Sequence, residues 1–326
     1  MLYRKLGTSD LDVSVIGLGT NNFGNPQRIT DHAASAKVLH ECLDLGINFI
    51  DTADAYGEGQ SEVHIGEALK GRRDEALIAT KLNLAKLDGQ SVRDRIMKSI
   101  DVSLKKLQTN YVDLYQIHAP LPGVPQEEVI GPMNDLVKEG KVRYIGECNY
   151  AGWRHAQADV VSEREGWARM VSSQNYYNLL RRQVELELLP YCTDANVGFL
   201  PYFPLAGGWL TGKYQQGAGT PQGVRRMVGQ LQKDERAHAV LGQLTVFAKE
   251  RGRSVLDLAF AWLLAHPAVS SVIAGAMTPE QVAANAKAAD WQMTKEERDA
   301  VDAIAAWDGT GEEVEGGGPG GVKPTR

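Results

Sequence analysis

The chain is poor in the residues that most readily declare a function. Only three of its 326 residues are cysteine, Cys42, Cys148 and Cys192. An odd number at long spacings argues against a disulfide framework or a cysteine zinc site and points to a reducing cytoplasm. The seven histidines are scattered without an HExxH or similar cluster, so no metal site is expected. Positive charge is in deficit, 35 Lys and Arg against 41 Asp and Glu, for a formal net charge of −6. That balance argues against nucleic acid as the main partner. No stretch approaches the roughly 20 apolar residues that cross a bilayer, so no membrane partner is expected. The opening MLYRKLGTSDLDVS lacks the apolar core of a secretory signal.

What the chain does contain is regular alternation. A short strand–turn–strand at the start (LYRK, LGTSD, LDVSVIGLG) leads into strand-like runs, each followed by a helix-like stretch. VSVIGLG (13–19), NFIDTA (48–53), ALIATKL (76–82) and YVDLYQIH (111–118) supply four strands. VRYIGECN (142–149), MVSSQNY (170–176), VGFLPYFPL (197–205) and SVIAGA (271–276) supply four more. The intervening helices include 33–46, 61–71, 91–108, 127–140, 180–196 and 278–290, with a long loop after the seventh strand. Strands that are apolar throughout indicate a parallel sheet covered on both faces, and eight βα units close a (β/α)8 barrel. The leading hairpin is placed to plug the N-terminal mouth, and TKEERDAVDAIAAW forms a last helix. The expected organisation is one α/β TIM-barrel domain over 1–310, followed by a Gly/Pro-rich tail over 311–326. A Rossmann dehydrogenase is disfavoured because Gly17-Leu18-Gly19-Thr20-Asn21-Asn22 lacks the third glycine of G-x-G-x-x-G.

Reactive groups of such barrels gather at the C-terminal strand ends. Asp51 and Tyr56 follow the second strand, Lys81 ends the third and His118 ends the fourth. Taken singly, Asp51 is an ordinary turn or cap residue, Tyr56 packing, Lys81 a solvated cation and His118 a structural histidine. Jointly they read differently. A lysine ending an apolar strand needs a carboxylate partner, and Asp51 stands on the neighbouring strand. A charged Lys81 near Tyr56 is expected to lower the phenol pKa from about 10 towards the working range. Tyr56 then gives a proton to a carbonyl oxygen or takes one from an alcohol, while His118 orients that oxygen. The chemistry suggested is carbonyl reduction or alcohol oxidation with hydride from a cofactor. Asp54 reads as a turn residue.

With these residues in view the chain resembles an aldo-keto reductase. FIDTADAYGEGQSE, IATKL, DLYQIHAP, VRYIGECNY, SSQNYYNLL, PYFPLAGGWLTGKY and VIAGAMTPEQVAAN occur in the family's order from residue 1 to about 310. The resemblance implies a nicotinamide cofactor across the C-terminal face and the tetrad Asp51, Tyr56, Lys81 and His118, with Tyr56 as acid/base. It places Gly19, Thr20 and Asn21 beside the nicotinamide ribose, Asp51 close by, and Asn149 and Gln174 on the carboxamide. It puts Tyr202 on the ring, Pro204, Leu205 and Gly207 along the pyrophosphate, and Lys213 as a nearby cation. Cys148 replaces the usual serine of the fifth-strand motif and Phe203 a second one. A thiol donates weakly, and nothing in the surrounding sequence activates Cys148 as a nucleophile. Glu147 has no evident role.

Gly275, Met277, Gln281 and Asn285 fall where NADPH-preferring members often carry a cation against the 2′-phosphate. No Lys or Arg occurs from Ala274 to Ala286. NADPH is the cofactor implied, with NADH left open. The substrate is a small carbonyl compound, and Phe23, Leu121, Tyr150, Trp153 and Trp209, with Tyr56 and His118, are candidate pocket residues. Trp307 or the tail is a candidate cover. Two other functions stay open: a sugar or polyol dehydrogenase working oxidatively, and a cofactor-binding regulatory subunit.

Overall fold

The computed structural model describes residues 1–85, 87, 89–214 and 226–307. The expected tail, 311–326, lies outside them. An antiparallel hairpin, β1 (Tyr3–Lys5) and β2 (Asp12–Ser14), precedes eight parallel strands: β3 (Ile16–Gly19), β4 (Phe49–Asp51), β5 (Leu77–Leu82), β6 (Val112–Ile117), β7 (Val142–Cys148), β8 (Met170–Tyr176), β9 (Gly198–Tyr202) and β10 (Val272–Gly275). Pairing runs in chain order from β3 to β10, and β10 returns to β3 in register, Val272 opposite Ile16, closing the barrel. The (β/α)8 reading of the sequence is correct.

Two apolar layers hold the barrel. Outside it, the strands pack against α1 (His32–Asp44), α2 (Gln60–Ala68), α3 (Val92–Leu107), α4 (Gln126–Lys138), α5 (Gly152–Glu165) and α6 (Leu188–Asp194). The ring continues through α7 (Arg226–Leu231), α8 (Glu235–Lys249), α9 (Val255–Leu264) and α10 (Pro279–Ala288), and α11 (Lys295–Ile304) follows. Inside, Phe49, Ala79, Leu114, Val171, Leu200 and Ile273 meet Leu6, Leu11 and Val13 of the hairpin. Each of the Val, Leu, Ile and Phe side chains among them contributes about 1.5–3 kcal/mol when fully buried. The hairpin therefore plugs the N-terminal mouth, as expected. Its turn needs Gly7: φ is +55°, and a Cβ there would lie 2.3 Å from the Val171 carbonyl oxygen.

Two helical readings need correction. The expected helix over 180–196 begins only at Leu188, because Asn178 and Arg181 form an isolated bridge and Arg182 turns inward to Glu185 and Asp302. The stretch read as a long loop after the seventh strand contains α8. Its N-cap is Asp234, and it buries Ala237, Leu241, Leu244 and Ala248 on one face. Among the described residues no helix is long and apolar enough to cross a membrane.

Candidate active site

Parallel strands that all run one way bring their last residues to one rim, and four titratable groups meet there. Lys81, from the inward face of β5, is almost fully buried. Its ammonium donates to Asp51 Oδ1 and Oδ2, each at 2.7 Å, and to the Thr52 carbonyl at 2.8 Å. Asp51 Oδ1 also accepts from Gln174 Nε2 of β8 at 2.8 Å. The buried carboxylate is thus matched by charge and by hydrogen bonds, the condition under which a buried ion pair is tolerated. Lys81 Nζ stands 5.1 Å from the Tyr56 ring centroid. The Tyr56 and His118 rings meet edge-on, their centroids 5.7 Å apart.

The electrostatics correct one expectation. Burial pushes the Tyr56 phenol up to about 12, and Lys81 opposes this without reversing it. Burial is the largest influence on Lys81 and would lower it, but Asp51, Tyr56 and Cys148 together outweigh it and hold the ammonium above its ordinary range. Burial, reinforced by the Lys81 charge, drops the His118 imidazole to about 3. Tyr56 is thus a protonated phenol and His118 a neutral ring at neutral pH. Burial also raises the Cys148 thiol well above its ordinary value, in keeping with its reading as a poor nucleophile.

Asn149 opens the turn after β7 in the left-handed region, with φ of +62°. Its amide donates to the His118 carbonyl at 2.9 Å and accepts from the Tyr202 hydroxyl at 2.8 Å. Tyr202 in turn stacks on Tyr176, ring centroids 5.5 Å apart.

Two cavities form one groove over the rim. The first, about 90 Å³, lies over Tyr56 and His118 and is walled by Gly19, Asn21, Asp51, Cys148, Asn149, Gln174 and Tyr202. The second, about 580 Å³, is bounded by Leu205, Gly207, Lys213, Met277, Gln281 and Asn285. Phe203, Pro204 and Gly275 line both. The loop between them is strained: Phe203 and Ala206, neither of them glycine, have φ of +54° and +47°. One end offers amides and aromatics, the other cations and a helix start at α10, where Thr278 caps and Pro279 opens the first turn. That polarity fits an extended nicotinamide dinucleotide.

Nearly every residue expected at a cofactor falls on this groove. Thr20 does not: it is buried, and its hydroxyl donates to the Asp51 carbonyl at 2.9 Å. The expected substrate pocket fares worse. Phe23, Tyr150 and Trp209 are core residues, and Trp209 stacks on Tyr214 with no exposed surface. Leu121 and Trp153 also lie off the groove, Trp153 being 59% exposed. Trp307 lines a different cavity, beside Tyr176 and α8. Two features escaped the sequence reading. Arg28 of the first βα loop lines the larger cavity, a cation no search of 274–286 could find. Glu147 is fully buried, with its Oε1 2.9 Å from His155 Nδ1 and its Oε2 accepting from the Tyr150 amide at 3.1 Å.

A closed parallel barrel with a lysine–aspartate pair beside a tyrosine and a histidine at its C-terminal mouth is the frame of a barrel oxidoreductase. The chain belongs to the aldo/keto reductase family, whose model it matches over residues 15–306. It is 35% identical over 316 residues to aldo-keto reductase YhdN of Bacillus subtilis, covering 93% of each chain. It is 30% identical to versiconal hemiacetal acetate reductase of Aspergillus parasiticus, over 91% of this chain and 95% of that one. It is also 34% identical to a putative voltage-gated potassium channel β subunit of Schizosaccharomyces pombe, over 93% and 92%.

Proposed function

We propose that this protein is an NAD(P)H-dependent carbonyl reductase, working reversibly on an aldehyde or ketone. The observation that carries the reading is Lys81, doubly bonded to Asp51 and set 5.1 Å from the Tyr56 ring at the narrow end of the groove. A reduced nicotinamide, when bound there, would supply the hydride for the carbonyl carbon. Tyr56 holds the proton that the developing alkoxide takes, and the neutral His118 hydrogen-bonds the same oxygen and orients it. The Lys81 charge stabilises the phenolate that results, and Asp51 keeps that charge in place. Asn149, Gln174 and Tyr202 would hold the nicotinamide end. Gly207, Lys213 and the α10 start would take the phosphates, and Arg28 would answer a 2′-phosphate, which favours NADPH. Three buried free cysteines suit a reducing cytoplasm.

The test follows loss of reduced-nicotinamide absorbance with an activated aromatic aldehyde, using NADPH and NADH in turn. Consumption of either supports the reductase. Tight dinucleotide binding without turnover supports a regulatory subunit instead, the reading that the potassium-channel relative keeps open. Turnover only from alcohol and oxidised cofactor points to a dehydrogenase.

A further inference from the structure

Behind β7 lies a buried glutamate–histidine pair that the proposed chemistry does not use. Strand alternation sends Cys148 into the barrel and Glu147 out of it, into the layer beneath α5. There Glu147 and His155 are both without exposed surface. Desolvating such a pair is unfavourable, and apolar residues of the same volume often serve stability as well or better. What the carboxylate does beyond stability is visible in its second oxygen. One oxygen takes His155 Nδ1 at 2.9 Å, and the other accepts the backbone amide of Tyr150 at 3.1 Å. Tyr150 directly follows Asn149, whose φ of +62° lies in the left-handed region, a conformation that persists where surrounding contacts hold it. From Asn149 one bond runs to the His118 carbonyl and one to the Tyr202 hydroxyl.

We infer that Glu147 and His155 are a positioning pair, which sets the turn of Asn149 and through it holds His118 and Tyr202 at the dinucleotide's nicotinamide end. The inference rests on the cofactor reading above. Glu147 binds the strand end to the first turns of α5, since His155 lies on that helix. It also faces Ser173 of β8 and Ile117 of β6, the residue before His118. Release of the carboxylate frees the turn, and the groove wall loosens at its narrow end while the far end keeps its phosphate contacts.

The test titrates NADPH against the full chain by quenching of protein fluorescence, well below each variant's melting temperature. The variants are Glu147→Ala, which takes away the acceptor of the Tyr150 amide, and the double Glu147→Leu/His155→Leu, which removes both partners together. The comparison is Asp113→Asn, which weakens the ion pairs of the buried Asp113 with Arg73 and the partly exposed Arg143 at the opposite end of the barrel. Both positioning variants should lose NADPH affinity by about ten-fold, equivalent to 1.4 kcal/mol, while Asp113→Asn stays within about two-fold despite a lower melting temperature. The double variant settles the matter if Glu147→Ala does not fold. Near wild-type affinity in either folded variant overturns the inference, as does an equal loss in Asp113→Asn. If the wild-type chain itself binds neither dinucleotide, the cofactor reading fails instead.

Discussion

Lys81 and Asp51 form a two-point contact, 2.7 Å from the ammonium to each carboxylate oxygen, in which both partners are almost wholly out of water. They stand on adjacent strands. Breaking such a pair from one side leaves a buried charge without compensation, at about 3–5 kcal/mol. Lys81→Met should therefore lower stability by that order in denaturant titration and abolish carbonyl reduction. An active, equally stable Lys81→Met protein would contradict both the electrostatic and the mechanistic reading.

Tyr56→Phe removes only the hydroxyl. Loss of a general acid reduces turnover by about 10²–10⁴-fold, whereas the groove proposed for the dinucleotide keeps its walls. Steady-state kinetics and a dinucleotide titration on the same preparation separate the two effects. Comparable losses in both would make Tyr56 a structural residue.

His118 and Tyr56 together predict the pH profile. With the imidazole at about 3 and the phenol at about 12, neither group changes protonation between pH 5 and 9 in the unliganded protein. Reduction, which needs the phenol, should be flat through neutrality, and alcohol oxidation, which needs the phenolate, should rise towards alkaline pH. Because the folded pKa of His118 lies below its unfolded value near 6.5, neutral His118 favours the folded state above that value. This contribution is lost as pH falls from about 6.5 towards 3. NMR titration of the His118 ring should show no midpoint near 6.5.

Arg28 lines the larger cavity and is the residue proposed to favour NADPH. Arg28→Ala should weaken NADPH binding by about ten-fold, the scale of a charge-assisted phosphate contact, and leave NADH within about two-fold. Equal loss for both would assign Arg28 to the pyrophosphate.

Glu62 predicts a stability change away from the chemistry. It is fully buried, with Oε1 accepting from Thr80 at 2.7 Å and Oε2 making no hydrogen bond but standing 3.9 Å from the Lys106 ammonium, which offsets only part of the burial. Burial raises its pKa, so the folded chain binds the proton more tightly than the unfolded one. The stabilising contribution is complete below about 4.3, the unfolded value, and is lost as pH rises through the folded pKa. Glu62→Gln should raise the melting temperature at pH 7 more than at pH 4. An identical shift at both would show that Glu62 folds already ionised.

Strand ends were legible because runs such as YVDLYQIH are apolar until a polar residue closes them, and a closed parallel barrel delivers all such residues to one rim. Asp51, Tyr56, Lys81 and His118 could therefore be placed together from their positions alone. Phe23, Tyr150 and Trp209 could not be sorted. An aromatic after a strand packs inward or faces a ligand according to loop conformation, and nothing local distinguishes the two. Helix α8 was missed because it sits in a long connection without a strand to announce it, although its apolar residues repeat at helical spacing.

The sequence by itself determined the barrel, its order and the identity of the polar cluster at its mouth, because period, strand length and strand-end chemistry are local properties. The tertiary structure alone decided the rest. Burial lifts Tyr56 despite Lys81, Arg28 reaches the groove from a distant loop, and Glu147 pairs with His155 behind the wall. Each depends on which groups surround a side chain and how much water they exclude, and neither quantity is written along the chain.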